Sequence, residues 1–334
     1  MTARRLGGSA LKDSLAPGSR WSAPEGVSVA VRRLGLALAL LTGPLAAQAP
    51  ERPDPLLQRR LDSLVQGFRG QVGIYVRHLP TGRTAAIHAD SVFPTASMIK
   101  VPILIATFDA IQKGYLDFHQ PLVYTDSLLY PGEDLIGGLR DSTVVPLSRL
   151  TLMMITTSDN TASLWLQWLA GTGSTINGWL YDHGFEATRV NSRTPGREEH
   201  RTAYGWGQTT PREMARLLTM IRLGQAVSPA ASQEMYRHLT RSYYTGEALS
   251  ALPPWVQAAS KVGAVDRSRS EVVLVNAPSG DYVFCIITKN QEDTSWEPPN
   301  EGWVLIRKVS ALLWRHFEPR HPWRPAEEAG RFKP

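Results

Sequence analysis

Ser97 and Lys100 open the most apolar predicted helix of the chain, spanning 97–113. One helical turn separates them, so the lysine amine can reach the serine hydroxyl. A serine at a helix start also sits where backbone N–H groups and the helix dipole favour developing negative charge. Burial lowers a lysine pKa and would let Lys100 take the proton of Ser97, the chemistry of an activated nucleophile. The S-x-x-K pattern is short, and Ser9-Ala10-Leu11-Lys12 repeats it near the N-terminus, so it does not stand alone as evidence. Further on, Ser158-Asp159-Asn160 falls at a break between two predicted helices. All three residue types are good helix N-caps, which is the plainer account of that tripeptide. Lys261-Val262-Gly263 precedes a strand-rich region, where a solvated lysine beside a turn is the default.

The elements that must position these groups follow from apolar spacing. A helix is predicted over 56–68, with Leu57, Leu61, Leu64 and Phe68 on one face, and Gly70 ends it. Strands are predicted over 72–76 and 84–88, joined at Pro80-Thr81-Gly82. Helices follow over 97–113, 147–157 and 161–169, and another opens at Pro211. The stretch 185–211 is rich in Arg, Gly, Thr and Pro and is long for a simple connection, which marks a functional loop. Strands over 271–275 and 282–288 flank Pro278-Ser279-Gly280-Asp281, a hairpin signal. A last helix, capped by Asn300, buries Trp303, Ile306, Val309, Leu313 and Phe317. Early and late strands can share one antiparallel sheet flanked by the terminal helices, with an inserted all-α lobe: an α+β fold. The expected division is an α/β lobe from 50–93 and 245–318, an all-α lobe over 94–244, and a tail over 319–334. The active site would lie in the crevice between the lobes.

In this order the three short motifs resemble the S-x-x-K, S-D-N and K-[TS]-G set of class A β-lactamases and penicillin-binding proteins. Their separations, 61 residues from Ser97 to Ser158 and 103 from there to Lys261, are those of the family. The segments 154–162 and Thr209-Thr210-Pro211 also look like class A sequence, and the resemblance covers about residues 53–317. It implies the β-lactamase/transpeptidase-like fold, with Ser97 as acylated nucleophile and Lys100 as its activating base. Ser158 would relay a proton to the leaving nitrogen, and Asn160 would bind the substrate's side-chain amide. Lys261 and Gly263 would line the substrate site, Lys261 supplying positive charge near a substrate carboxylate. The backbone N–H groups of Ser97 and Ala264 would form the oxyanion hole. Arg269 is the nearest arginine for a second carboxylate contact, one position short of the family's.

Two departures bear on activity. Val262 stands where the family carries Thr or Ser, removing a hydroxyl worth about 1 kcal/mol to carboxylate binding. The glutamate that activates the deacylating water in class A enzymes falls in register on Thr194, counted forward from Asn160 or back from Pro211. Glu198 and Glu199 lie close by; either a rearranged loop aims one of them at the water, or both are solvated beside Arg197 and Arg201.

Composition fits an exported hydrolase better than a nucleic-acid binder. The net charge of +6 comes mostly from residues 1–49, which hold six of the 36 basic and two of the 30 acidic side chains. Arg32-Arg33, the apolar run 34–45 and small residues at Ala46, Ala47 and Ala49 have the order of a secretory signal peptide, expected over 1–49. The segment ahead of Val29 is long for a charged leader, which points to an over-extended gene start. Cys285 is the only cysteine, which excludes an internal disulfide, and the eight histidines form no H-E-x-x-H pair. The expectation is therefore a periplasmic or secreted monomer without metal or cofactor, acting on a β-lactam or an acyl peptide. It would bind no nucleic acid and keep no membrane span after signal cleavage. The alternatives are a penicillin-binding DD-peptidase or esterase-like hydrolase with slow deacylation, and a non-catalytic β-lactam sensor.

Overall fold

The computed structural model describes residues 49–131 and 134–332. The expected signal peptide and the second S-x-x-K match lie outside the described residues. Strand β1 (Arg52–Pro53) leads into helix α1 (Pro55–Val65), whose cap Asp54 accepts from the Leu57 N–H at 3.0 Å. Strands β2 (Gln71–His78), β3 (Arg83–Ile87) and β4 (Phe93–Pro94) follow. A 3₁₀ turn, Ala96–Ile99, then runs directly into α2 (Lys100–Gln112). The predicted single helix thus begins as a tighter turn that carries Ser97.

The middle of the chain comprises hairpin β5 (Pro121–Val123) and β6 (Val144–Pro146), then α3 (Leu147–Thr156), α4 (Asn160–Leu169) and α5 (Thr172–Asp182). The predicted functional loop is ordered into β7 (Arg189–Val190), α6 (Glu198–Tyr204) and β8 (Gly207–Thr209). Helices α7 (Pro211–Arg222) and α8 (Pro229–Leu239) precede β9 (Ala258–Val265), β10 (Ser268–Val275), β11 (Tyr282–Lys289) and α9 (Glu301–Phe317). The sequence reading left α5, α8 and β9 unassigned. For α8 the start signal was present, since Ser228 caps it and Pro229 stands in its first turn.

The main sheet has the order β1-β3-β2-β11-β10-β9, antiparallel except for the two-residue β1–β3 pair. Both faces are covered, so β11 and the second half of β10 read as nearly continuous apolar runs. Val272 and Leu274 of β10 and Val283, Cys285 and Ile287 of β11 share a core with α7 and α2. The alternate residues, Val273, Val275, Phe284 and Ile286, share a second core with α1 and α9. Helix α7 therefore joins the helical segment to the sheet through one continuous core. The buried position pushes the Cys285 thiol pKa well up, leaving it an inert packing group. Among the described residues no helix is long and apolar enough to cross a membrane.

Candidate active site

The turn at Ala96–Ile99 presents Ser97 beside the edge strand β9. What permits the approach is Gly263: a Cβ there would lie 2.6 Å from the Thr95 carbonyl oxygen, 2.6 Å from Ser270 Oγ and 3.1 Å from Ser97 N. Any side chain at 263 would push the strand off the turn, and with it Ala264, which lines the cleft together with Ser97. The two backbone groups expected to hold an oxyanion are thus neighbours because a glycine precedes one of them.

Lys100 is fully buried at the first turn of α2. Its Nζ lies 3.1 Å from Ser97 Oγ, 3.0 Å from Ser158 Oγ and 2.7 Å from Asn160 Oδ1, and it also donates to the Ser158 carbonyl oxygen. Burial lowers its pKa to about 7, against opposing attraction from Asp134 and Asp159. A neutral amine has two N–H bonds and one lone pair. The Asn160 and Ser158 carbonyls can only accept, so they take both N–H groups and leave the lone pair to a serine hydroxyl. That is the arrangement a base toward Ser97 requires.

Ser158 sits in the left-handed backbone region, φ +59°, at the break between α3 and α4. Asp159 caps α4 through the Ala162 N–H at 2.8 Å and also accepts from the Ile136 N–H at 2.8 Å. The helix-cap account of this tripeptide therefore describes Asp159, while its two neighbours turn to Lys100. Lys261 is not the solvated lysine of a turn: it is a buried strand residue whose Nζ donates to Ser158 Oγ at 3.0 Å and to the Val262 carbonyl at 2.9 Å. Burial, and then repulsion from Lys100, hold its pKa well below the usual lysine range. Ser97, Lys100, Ser158, Asn160 and Lys261 thus form one hydrogen-bonded cluster, linked through two lysine amines.

Three expected residues are not brought into it. Arg269 is fully buried on the opposite face of the sheet. Side chains alternate along a strand, so a position one residue short of the family's faces the other side. Its guanidinium donates to the carbonyls of Val265, Ser268 and Ser295 instead. Glu198 and Glu199 stand exposed in the first turn of α6, Glu198 accepting from the Gly196 N–H at 3.2 Å, and neither lines the cleft. Thr194 is buried and donates to the Ser192 carbonyl at 2.9 Å.

The cleft extends from Ser97 in two arms. One, about 680 Å³, passes Tyr130, Trp206, Arg267 and Lys289, and no aspartate or glutamate lines it among the described residues. The Tyr130 and Trp206 rings meet edge-to-face, centroids 5.0 Å apart. The other, about 450 Å³, opens on Ser158 and passes Asp134, Tyr244, Val262, Trp296 and Trp303. The sequence reading missed these aromatic and acidic lining residues. Tyr130, Asp134, Trp206, Tyr244 and Trp296 come from separate connecting segments with no shared spacing, and Trp303, read from the sequence only as a core residue of the last helix, lies in α9.

A buried lysine of lowered pKa against a serine hydroxyl at a helix start defines a serine acyl-transfer centre. The model of the beta-lactamase enzyme family matches residues 56–317, and the chain belongs to that family. It is a serine hydrolase of the β-lactamase type. The chain is similar to the solved structure of PBP-A at 27% identity, with a TM-score of 0.73, over 81% of this chain and 99% of that one. A variant of PBP-A, solved as an acyl-enzyme with penicillin G, matches at 28% identity and TM-score 0.72, over 81% and 99% of the two chains. A β-lactamase from Sphaerobacter thermophilus DSM 20745 shares the fold, at 21% identity and TM-score 0.71, over 80% of this chain and all of that one.

Proposed function

We propose that the protein opens the β-lactam amide by acylating Ser97, and that hydrolysis of the acyl-enzyme is its slow step. Lys100 takes the Ser97 proton as Oγ attacks the carbonyl carbon. The N–H groups of Ser97 and Ala264 hold the resulting oxyanion. The C–N bond then breaks as Ser158 gives its proton to the leaving nitrogen and is reprotonated from the adjoining lysine amines. The observation that carries this reading is the 3.1 Å contact between Lys100 Nζ and Ser97 Oγ, with both amine N–H bonds spoken for by carbonyls.

What supports slow deacylation is that the base class A enzymes use to activate the deacylating water is a carboxylate, and among the described residues none lines the 680 Å³ arm. The reading therefore favours penicillin-binding behaviour over rapid turnover. The test mixes the purified protein with a chromogenic cephalosporin and follows absorbance and protein mass together. The expected result is a stoichiometric burst with a persistent adduct, abolished in Ser97→Ala and unaltered in lifetime in the double variant Glu198→Gln/Glu199→Gln. Rapid turnover that the double variant slows would overturn the slow-step reading, and no adduct at all would overturn acylation.

The charged, apolar and small-residue order of 1–49 supports export to the periplasm or medium. Sequencing the N-terminus of the mature protein checks it, with cleavage expected after Ala47 or Ala49. An intact N-terminus on cell-retained protein would refute it.

A further inference from the structure

The second arm of the cleft is the side on which a leaving group must depart, since Ser158 opens on it and on no other lining of the cleft. A carboxylate-binding arm would show a cation. Among the described residues lining this one there is no arginine or lysine: Lys261 is buried behind Ser158 and Val262, its Nζ donates to both, and burial holds its pKa well below the usual lysine range, while Val262 offers no hydroxyl. Its charged lining groups are acidic: Asp134, and Glu247, which Arg307 neutralises at 2.6 Å. Its wall is aromatic, formed by Tyr244, Trp296 and Trp303 with Pro298.

The arginine expected to meet a carboxylate instead builds that wall. The Arg269 guanidinium lies 4.4 Å from the centroid of the Trp296 ring and 5.2 Å from that of Trp303. It reaches them by passing under the first turn of α9, where Gly302 clears the way: a Cβ there would come within 2.8 Å of Arg269 Cγ. Its bond to the Ser295 carbonyl at 2.5 Å pins the residue next to Trp296. Asn300 Nδ2 holds the same carbonyl at 2.8 Å, and Asp293 accepts from the Ser295 N–H at 3.0 Å. Trp296 nevertheless remains 58% exposed, its outer side turned to the cleft and solvent.

We propose that this arm is an aromatic slot that selects acyl compounds with a planar, uncharged leaving group, and that Arg269 is the positioning residue that sets Trp296 in it. This deepens the proposed function and rests on the acyl-Ser97 reading. With an aryl ester, Ser97 Oγ bonds to the carbonyl carbon, the C–O bond to the aryl group breaks, and the phenol oxygen leaves with the Ser158 proton. Lys100 holds the proton taken from Ser97.

The test compares two esters of one N-acylglycine, the phenyl ester and its meta-carboxylate, whose phenols have similar acidities. Both give the same acyl-enzyme, so a difference between them reports only the acylation step. The phenyl ester is expected to acylate Ser97 about tenfold faster. Trp296→Ala should cut that preference to about twofold, Trp296→Phe should restore most of it, and Arg269→Met should behave as Trp296→Ala does. Loss of structure would slow both esters alike; a ratio unmoved in Trp296→Ala therefore overturns the slot, as does a faster meta-carboxylate ester. Trp296 is exposed enough for its variants to fold, so they decide the question even if Arg269→Met does not accumulate. Acylation by benzylpenicillin with both esters inert overturns the slot and leaves acyl-Ser97 standing. No adduct from any of the three overturns both.

Discussion

Replacing Lys100 by alanine is expected to slow acylation of Ser97 by a chromogenic cephalosporin about a thousandfold. The amine is the only base in contact with the nucleophile among the described residues, and loss of a positioned base costs on the order of 10² to 10⁴. The same geometry fixes the pH dependence. Burial lowers the Lys100 pKa to about 7, so the amine is mostly protonated below that pH and mostly free above it. Only the free amine can accept the Ser97 proton. Acylation should therefore rise with pH through a limb centred near 7 and level off above it. Time-resolved mass spectrometry of the adduct across pH 5 to 9, a range set about that value, measures both effects. Near-normal acylation in Lys100→Ala, or a rate indifferent to pH, would refute the assignment.

The second large effect is expected at a residue with no functional group. Gly263→Ala should reduce acylation about a hundredfold while leaving the protein folded. The added methyl would sit 2.6 Å from the Thr95 carbonyl oxygen, a backbone atom that cannot swing aside. Strand β9 must then move away from the turn that carries Ser97, taking Ala264 with it. Losing one well-placed oxyanion donor costs about 10² to 10³ in rate. The check is the acylation rate constant alongside a thermal melt; a rate within about threefold of the parent would show that the strand has no part in holding the oxyanion.

What could be read from the sequence depended on how locally each group is specified. Ser97 and Lys100 are one helical turn apart, so their meeting follows from helix geometry alone. Ser158 and Asn160 were legible as a helix break, and the break does place them. Lys261 was harder: β9 is mostly small residues, Lys and Gly, with two valines but no apolar alternation to announce a strand. Read without that strand, its lysine looked solvated. Arg269 shows the limit of counting, because in a strand one position decides which face a side chain occupies. The β10–β11 hairpin came through clearly, since β11 and the second half of β10 are apolar on both faces and joined at an obvious turn. The aromatic wall was invisible because Tyr244, Trp296 and Trp303 are brought together only by tertiary packing.

Two residues flanking the buried amine, Ala96 at φ +44° and Ser158 at φ +59°, occupy a backbone region that side chains with a Cβ avoid. Each such placement costs about 1 kcal/mol or more, which neighbouring packing must absorb. Part of the backbone strain of the molecule thus lies where its reacting atoms are aimed. A search for sturdier versions of this enzyme would meet that tension first: the changes that relax these two bends are also the ones that let the nucleophile and the proton relay drift out of line.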